Sequence, residues 1–281
     1  MTAGQRLPIG VCIRSIRAEP RWWLESARRL DAAGYAGVWS WDHFIGRGDP
    51  TVPVVECWTI LSMAAAATER VTVGPFVLNV MNRHPAVVAR MASTLQIASG
   101  GRLVLGIGIG GAPKEHEAYG IDFPAAPERV ARLEEAVAVI RALWTGGPVT
   151  RDSPFYPLRE ASAYPLPVPP PAIIVGGETA AGARLAGRIG DGWSAFDSNF
   201  ETNLPVYLES LAASGRRRQD QRVIVGFQGD WLSDERIVDS PWVTAPRETW
   251  ERWRAAGADD VIVLVRTTAD VDALVEAAEG W

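Results

Sequence analysis

The chain has 281 residues, room for one closed α/β barrel, which takes roughly 250, or for two average domains. Its 47% hydrophobic and 22% charged residues supply a large core and exclude a disordered or fibrous chain. A net charge of -5 gives no basic field, so nucleic acid and anionic membrane are not expected partners, and any bound phosphate must be held by local groups.

From the N-terminus onward, short β-branched or apolar runs alternate with longer amphipathic ones, the pattern of repeated βα units around a parallel sheet. Strands are expected at residues 9–13, 37–41, 71–78, 103–107, 172–175, 192–196, 223–227 and 261–265, each followed by a helix. Eight such units make a single α/β domain over residues 1–281, a (β/α)8 TIM barrel. The clearest helix covers 128–144, where Val130, Leu133, Val137, Ile140 and Trp144 recur at helical spacing and face the sheet. Gly34, Gly190 and Gly257 each stand where a helix ends before a strand, the place of a left-handed C-cap. Two insertions interrupt the rhythm: 146–171, too proline-rich for a helix or an inner strand, and 229–245. Each is either a lid over the site or an elaboration of the fold.

Residues able to do chemistry collect at strand ends, which in a barrel form the catalytic rim. The run 37–41 ends in Asp42-His43, a carboxylate beside an imidazole suited to proton transfer near neutrality, with a tautomer that an adjacent acid can fix. The alternative is that Asp42 caps the following loop and His43 packs. Gly106-Ile107-Gly108-Ile109-Gly110-Gly111 formally matches the dinucleotide fingerprint. However, residues 112–116 open no apolar helix, and no strand follows to bring a ribose-binding acid about 20 residues on. These glycines instead suit the close approach of a flat ring, or a tight loop with no ligand. The run 173–175 passes through Gly176, Gly177, Glu178 and Thr179 into a helix over 180–188. The free N–H groups and dipole of that helix suit a phosphate, unless Glu178 itself answers the dipole.

His43, His84 and His116 are scattered, with no H-x-H, H-E-x-x-H or G-x-S-x-G motif, so neither a metal site nor a serine nucleophile is expected. Cys12 and Cys57 lack the spacing of a disulfide framework or a thiolate site and fit a reducing cytoplasm. No apolar run of about 18 residues and no leader-like N-terminus occurs, so neither export nor a membrane span is expected.

Four stretches, taken in order, carry a resemblance: 69–78 (ERVTVGPFVL), 83–90 (RHPAVVAR), 101–110 (GRLVLGIGIG) and 186–193 (AGRIGDGW). With Asp42-His43 they resemble the luciferase-like oxidoreductase superfamily, especially its branch using the deazaflavin coenzyme F420, over nearly the whole chain. The resemblance implies that Asp42 contacts the pyrimidine edge of the coenzyme and that His43 lies by the reactive ring carbon. It implies a non-proline cis peptide at Phe76-Val77 supporting the ring, with Asn79 beside it. It sets Gly108, Ile109 and Gly110 along the ring and ribityl chain, and Gly176, Gly177, Glu178 and Thr179 around the phosphate. At Gly111 the chain departs from sugar-phosphate dehydrogenase relatives, whose acidic residue falls there. The implied activity is hydride exchange between F420 and a small organic substrate, in a homodimer. The alternatives are an FMN-dependent monooxygenase and a non-catalytic flavin- or deazaflavin-binding protein.

Overall fold

Runs of apolar residues become the staves of a barrel because both of their faces are covered, one by helices and one by the barrel interior. The computed structural model describes residues 6–46, 48–227 and 236–281. Its strands are β1 (Ile9–Ile13), β2 (Gly37–Ser40), β3 (Thr72–Pro75), β4 (Leu78–Asn79), β5 (Val104–Gly108), β6 (Val149–Arg151), β7 (Leu158–Ala161), β8 (Ala172–Gly176), β9 (Gly192–Phe196), β10 (Arg222–Phe227) and β11 (Asp260–Val265). The larger sheet is parallel throughout, in the order β3-β2-β1-β11-β10-β9-β8-β5-β4. A parallel bridge between Val73 and Leu103 joins its two ends. β3 and β4 are thus two halves of one stave, and eight staves close the barrel. The single strand expected over 71–78 is broken at Phe76-Val77, whose peptide bond is cis.

The helices are α1 (Pro20–Ala32), α2 (Cys57–Ala67), α3 (Pro85–Ala98), α4 (Pro113–Tyr119), α5 (Ala126–Leu143), α6 (Ala180–Ile189), α7 (Asp197–Ala213), α8 (Pro241–Thr244), α9 (Pro246–Ala255) and α10 (Thr268–Ala277). α5 buries Leu133, Val137 and Ile140 as the periodicity requires, and the expected Val130 and Trp144 are only partly buried at its two ends.

Side chains alternate across each stave, so Val11, Val38 and Leu105 enter the helix-facing core while Cys12, Trp39 and Val104 enter the barrel interior. Trp39 fills the middle of the barrel; a Cβ on Gly10 or Gly74 would lie 2.6 Å from its ring. Phe76 stands edge-on to Trp39 and Phe196, with centroids 6.2 and 5.9 Å away, and so forms a layer just beneath the mouth.

Gly34 and Gly257 end helices with φ of 90° and 106°, in the left-handed region. Gly190 does not: its φ is -85°. Its need is for space, since a Cβ there would lie 2.5 Å from the carbonyl oxygen of Gly192. The insertion 146–171 forms the antiparallel β6–β7 hairpin outside the barrel, followed by a proline run with cis bonds at Tyr164-Pro165 and Val168-Pro169. Of the insertion 229–245, residues 229–235 lie outside the described residues. The remainder forms a 3-10 turn (Ile237–Asp239) and α8, whose Trp242 packs 4.8 Å from the Phe227 ring. No helix of the described residues is long and apolar enough to cross a membrane.

Candidate active site at the strand C-termini

Parallel staves bring their C-terminal ends to one face, and there the chain gathers Asp42 and His43 after β2, Asn79 in β4, Gly108 to Gly110 from the end of β5, and Gly176 to Thr179 from the end of β8. Phe76 lies below this group as a core aromatic. Among the described residues no three His, Cys, Asp or Glu side chains converge as a metal ion requires.

Asp42 turns inward. Its side chain is 1% exposed and forms an ion pair with Arg83, whose Nη1 donates at 3.0 Å to Oδ1 and 2.9 Å to Oδ2. Oδ2 also accepts from the Asn79 N–H at 2.9 Å and from Asn82 Nδ2 at 3.0 Å. A charge this deep is stable only with such partners. Arg83 reaches a second carboxylate, Glu56, which caps α2 through the N–H groups of Trp58 and Thr59. Burial opposes the Arg83 charge, but Asp42 and Glu56 outweigh it and hold the guanidinium above its ordinary value. The expectation that Asp42 fixes the tautomer of His43 is therefore corrected: its carboxylate grips the segment that follows the cis bond.

The acid against His43 is Glu115, which the sequence reading passed over. Its Oε1 lies 2.7 Å from His43 Nδ1, and its Oε2 accepts from the Phe44 N–H at 3.1 Å. The Glu115 side chain is 8% exposed and that of His43 is 31% exposed. Burial pushes the Glu115 carboxyl up, but the hydrogen bond and charge of His43 and the Phe44 N–H outweigh this and hold it below the usual carboxylate range. Glu115 rides on α4, in the stretch expected to open no apolar helix, and the face that this helix buries is polar. Proline at the first helical turn, an acid in that turn and Gly120 at φ 65° are its start and stop signals. Its buried residues are Glu115 and His116, so hydrophobic periodicity had nothing to register.

His116 is fully buried and its ring is fully assigned by its partners. Nδ1 lies 2.8 Å from the Ala112 carbonyl oxygen, which only accepts, so Nδ1 carries the hydrogen. Nε2 lies 3.0 Å from Asn79 Nδ2, while Asn79 Oδ1 accepts from the Met81 N–H at 3.0 Å. The amide thus donates to a neutral imidazole, and Asn79 is held in place from both sides.

The glycines of β5 and β8 make room for the third stave. A Cβ on Gly108 would lie 2.9 Å from Val77 Cγ2, and one on Gly176 would lie 3.0 Å from the same atom. Val77 therefore sits over the mouth between two bare backbones. Gly110, at φ 73°, packs against the Asn79 amide, 2.5 Å from where its Cβ would be, while a Cβ on the exposed Gly111 would meet no heavy atom within 4 Å, so the loop after β5 is open at Gly111. The Ile109 side chain packs toward the helix-facing core, and its carbonyl oxygen accepts from Arg129 Nε at 3.2 Å.

At α6, Thr179 is the N-cap and its hydroxyl accepts from the Gly182 N–H at 3.2 Å. Glu178 does not answer the dipole of α6. It accepts from the Phe196 N–H at 3.0 Å and from Asn199 Nδ2 at 3.1 Å, both at the start of α7. Burial, with Asp197 adding to it, outweighs these two donors and raises the Glu178 carboxyl above its ordinary value.

Residues 8–229 match the family model described as luciferase-like monooxygenase. The F420-dependent glucose-6-phosphate dehydrogenase of Kineococcus radiotolerans is 37% identical over 223 residues, which are 76% of this chain and 65% of that relative, under two thirds of its length. Among solved structures, an F420-dependent secondary alcohol dehydrogenase in complex with an F420-acetone adduct superposes with a TM-score of 0.83 at 22% identity, covering 97% of this chain and 98% of that one. Monooxygenase RslO1 from Streptomyces bottropensis superposes with a TM-score of 0.76 at 19% identity, covering 97% of each chain. At these identities the structural likeness is one of fold.

Proposed function

The chain belongs to the luciferase-like monooxygenase family, and from that premise we propose that it is an oxidoreductase exchanging hydride between the deazaflavin coenzyme F420 and a small organic substrate. The observation that carries this reading is the His43 imidazole, part-exposed and held by a buried carboxylate, at a mouth floored by Val77 and left open at Gly111. The same-coenzyme name of the Kineococcus radiotolerans relative favours F420 over FMN.

The residues present fit such a group. Val77 between Gly108 and Gly176 is an apolar support for a flat ring, and the exposed Gly111 puts no side chain in the way of its approach. The first turn of α6 offers N–H groups with no intrahelical acceptor and the positive end of a dipole, a place for the coenzyme phosphate beside Gly176, Gly177 and Thr179. Glu178, drawn off to Phe196 and Asn199, leaves that turn open to an anion.

When bound, the coenzyme supplies the carbon that gives or accepts hydride. The chain orients the reactants and manages the proton. His43 takes the proton released from the substrate as hydride leaves it, or returns one in the reverse direction. Asp42, through Arg83 and the Asn79 N–H, keeps the Val77 support in place, and so serves the coenzyme from beneath rather than at its edge. Gly111 offers no carboxylate, which points away from a sugar phosphate as substrate.

The free thiols of Cys12 and Cys57 support a cytoplasmic setting. Met63 on α2 and Val87 and Ile97 on the adjacent α3 are exposed and apolar, which supports a second copy of the chain as partner.

The test is to titrate the purified protein with oxidised F420 and with FMN. Tighter binding of F420 is expected. Tight FMN binding without measurable F420 affinity would replace this reading with that of a flavin monooxygenase, and F420 binding with no turnover of any alcohol, aldehyde or ketone tried would favour a non-catalytic binder.

A further inference from the structure

We propose that Glu115 is the positioning residue of the proton-handling step, holding His43 with its hydrogen on Nδ1 and presenting Nε2 as the nitrogen that gains and loses the proton. This rests on the reading of His43 as proton handler given above.

The geometry is that of a carboxylate gripped at both ends by consecutive residues. One oxygen meets His43 Nδ1 at 2.7 Å and the other takes the Phe44 N–H at 3.1 Å. An ionised carboxylate can only accept, so the nitrogen facing it carries hydrogen whether the ring is neutral or charged. The proton that comes and goes is then the one on Nε2. A buried anion next to the ring also favours the ring at the moment it holds the extra proton, as in acid–imidazole dyads elsewhere.

Other charged groups nearby are engaged with different partners. Asp42, next to His43 in sequence, faces Arg83, the Asn79 N–H and Asn82. Glu56 faces Arg83. His116, next to Glu115 on α4, is taken up by Asn79 and the Ala112 carbonyl. Among these described carboxylates, Glu115 is thus the one whose charge falls on His43. Its burial and its two engaged oxygens keep it from reaching a substrate itself, so its action goes through the imidazole.

The Phe44 N–H makes the amide variant diagnostic. In Glu115→Gln the side-chain oxygen must turn to Phe44, because that backbone group donates, which leaves the NH2 facing His43 Nδ1. That nitrogen must then accept, and the ring is forced into the opposite tautomer with almost no change of shape.

The experiment records the ring ¹⁵N shifts of histidine-labelled, full-length protein without coenzyme, at a pH where the ring is neutral. The His43 signals are identified by their loss in His43→Ala. The wild-type protein and Glu115→Asp are expected to carry the hydrogen on Nδ1, and Glu115→Gln on Nε2. Turnover in Glu115→Gln is expected to fall by about 100-fold or more, with Kd for oxidised F420 unchanged and with most activity kept in Glu115→Asp. An Nε2–H tautomer in the wild-type protein overturns the proposal even if Glu115→Gln does not fold. So does an unchanged tautomer in a folded Glu115→Gln, or a reversed tautomer with undiminished turnover. Absence of F420 binding by the wild-type protein would sink the coenzyme reading and leave the tautomer result standing.

Discussion

Gly177 and Gly182 meet backbone to backbone: a Cβ on Gly177 would lie 2.6 Å from the carbonyl carbon of Gly182 and 2.8 Å from its Cα. Gly177 therefore serves the packing of the loop on its own helix, independent of any phosphate. Gly177→Val is expected to destabilise the protein by about 1–3 kcal/mol without coenzyme, as overpacking does, before any effect on binding is counted. Urea unfolding of the apoprotein reads this directly, and an unchanged midpoint would show that the loop yields more freely than its geometry implies.

Asp42→Ala removes one member of a buried ion pair and leaves Arg83 with Glu56 alone. The expected loss is about 3 kcal/mol, at the lower end for a broken buried pair because Glu56 remains. Coenzyme affinity should fall with it, since the Asn79 N–H loses its acceptor and the stave carrying Val77 is loosened. Full stability in this variant would remove the structural role given to Asp42.

His43→Ala, by contrast, deletes a part-exposed ring that contributes little to the core. Coenzyme binding should persist while turnover falls by roughly 10²- to 10⁴-fold, the usual cost of losing a general acid or base. Steady-state kinetics beside a binding titration separates the two, and undiminished turnover would end the mechanism.

Two carboxyls at the mouth carry opposite pH signatures. Glu115 titrates below the ordinary range, so its stabilisation is complete above the unfolded carboxyl value and is lost as pH falls through the lowered one. Glu178 titrates above the ordinary range, so the stability linked to it is present below the unfolded value and is lost as pH rises through the raised one. Thermal midpoints in a pH series should show Glu115→Gln destabilising most at neutral pH and least in acid. Glu178→Gln should gain most at neutral pH. The same sign for both would contradict the environments described.

The staves were legible because burial on both faces writes a continuous apolar run, and the alternation of Val38 with Trp39 needs no other information. The break at Phe76-Val77 was legible only through resemblance, since nothing in the residue types marks a cis bond there. α4 was not legible as a helix because the face it buries is polar. Glu115 could have been found from Pro113 at a helix start with an acid two residues on, yet its partner lies 72 residues away and no local pattern connects them. The inward turn of Asp42 was hidden for the same reason: Arg83, 41 residues on, decides it.

Gly111 has a consequence for how such a protein can diverge. It is exposed, lies outside the left-handed region that only glycine tolerates well, and has no heavy atom within 4 Å of where a side chain would begin. The barrel is therefore indifferent to what stands there, while the resemblance puts the acid of sugar-phosphate relatives at this very spot. A lineage can gain or shed a carboxylate there by changing one codon, with no compensating change in the scaffold.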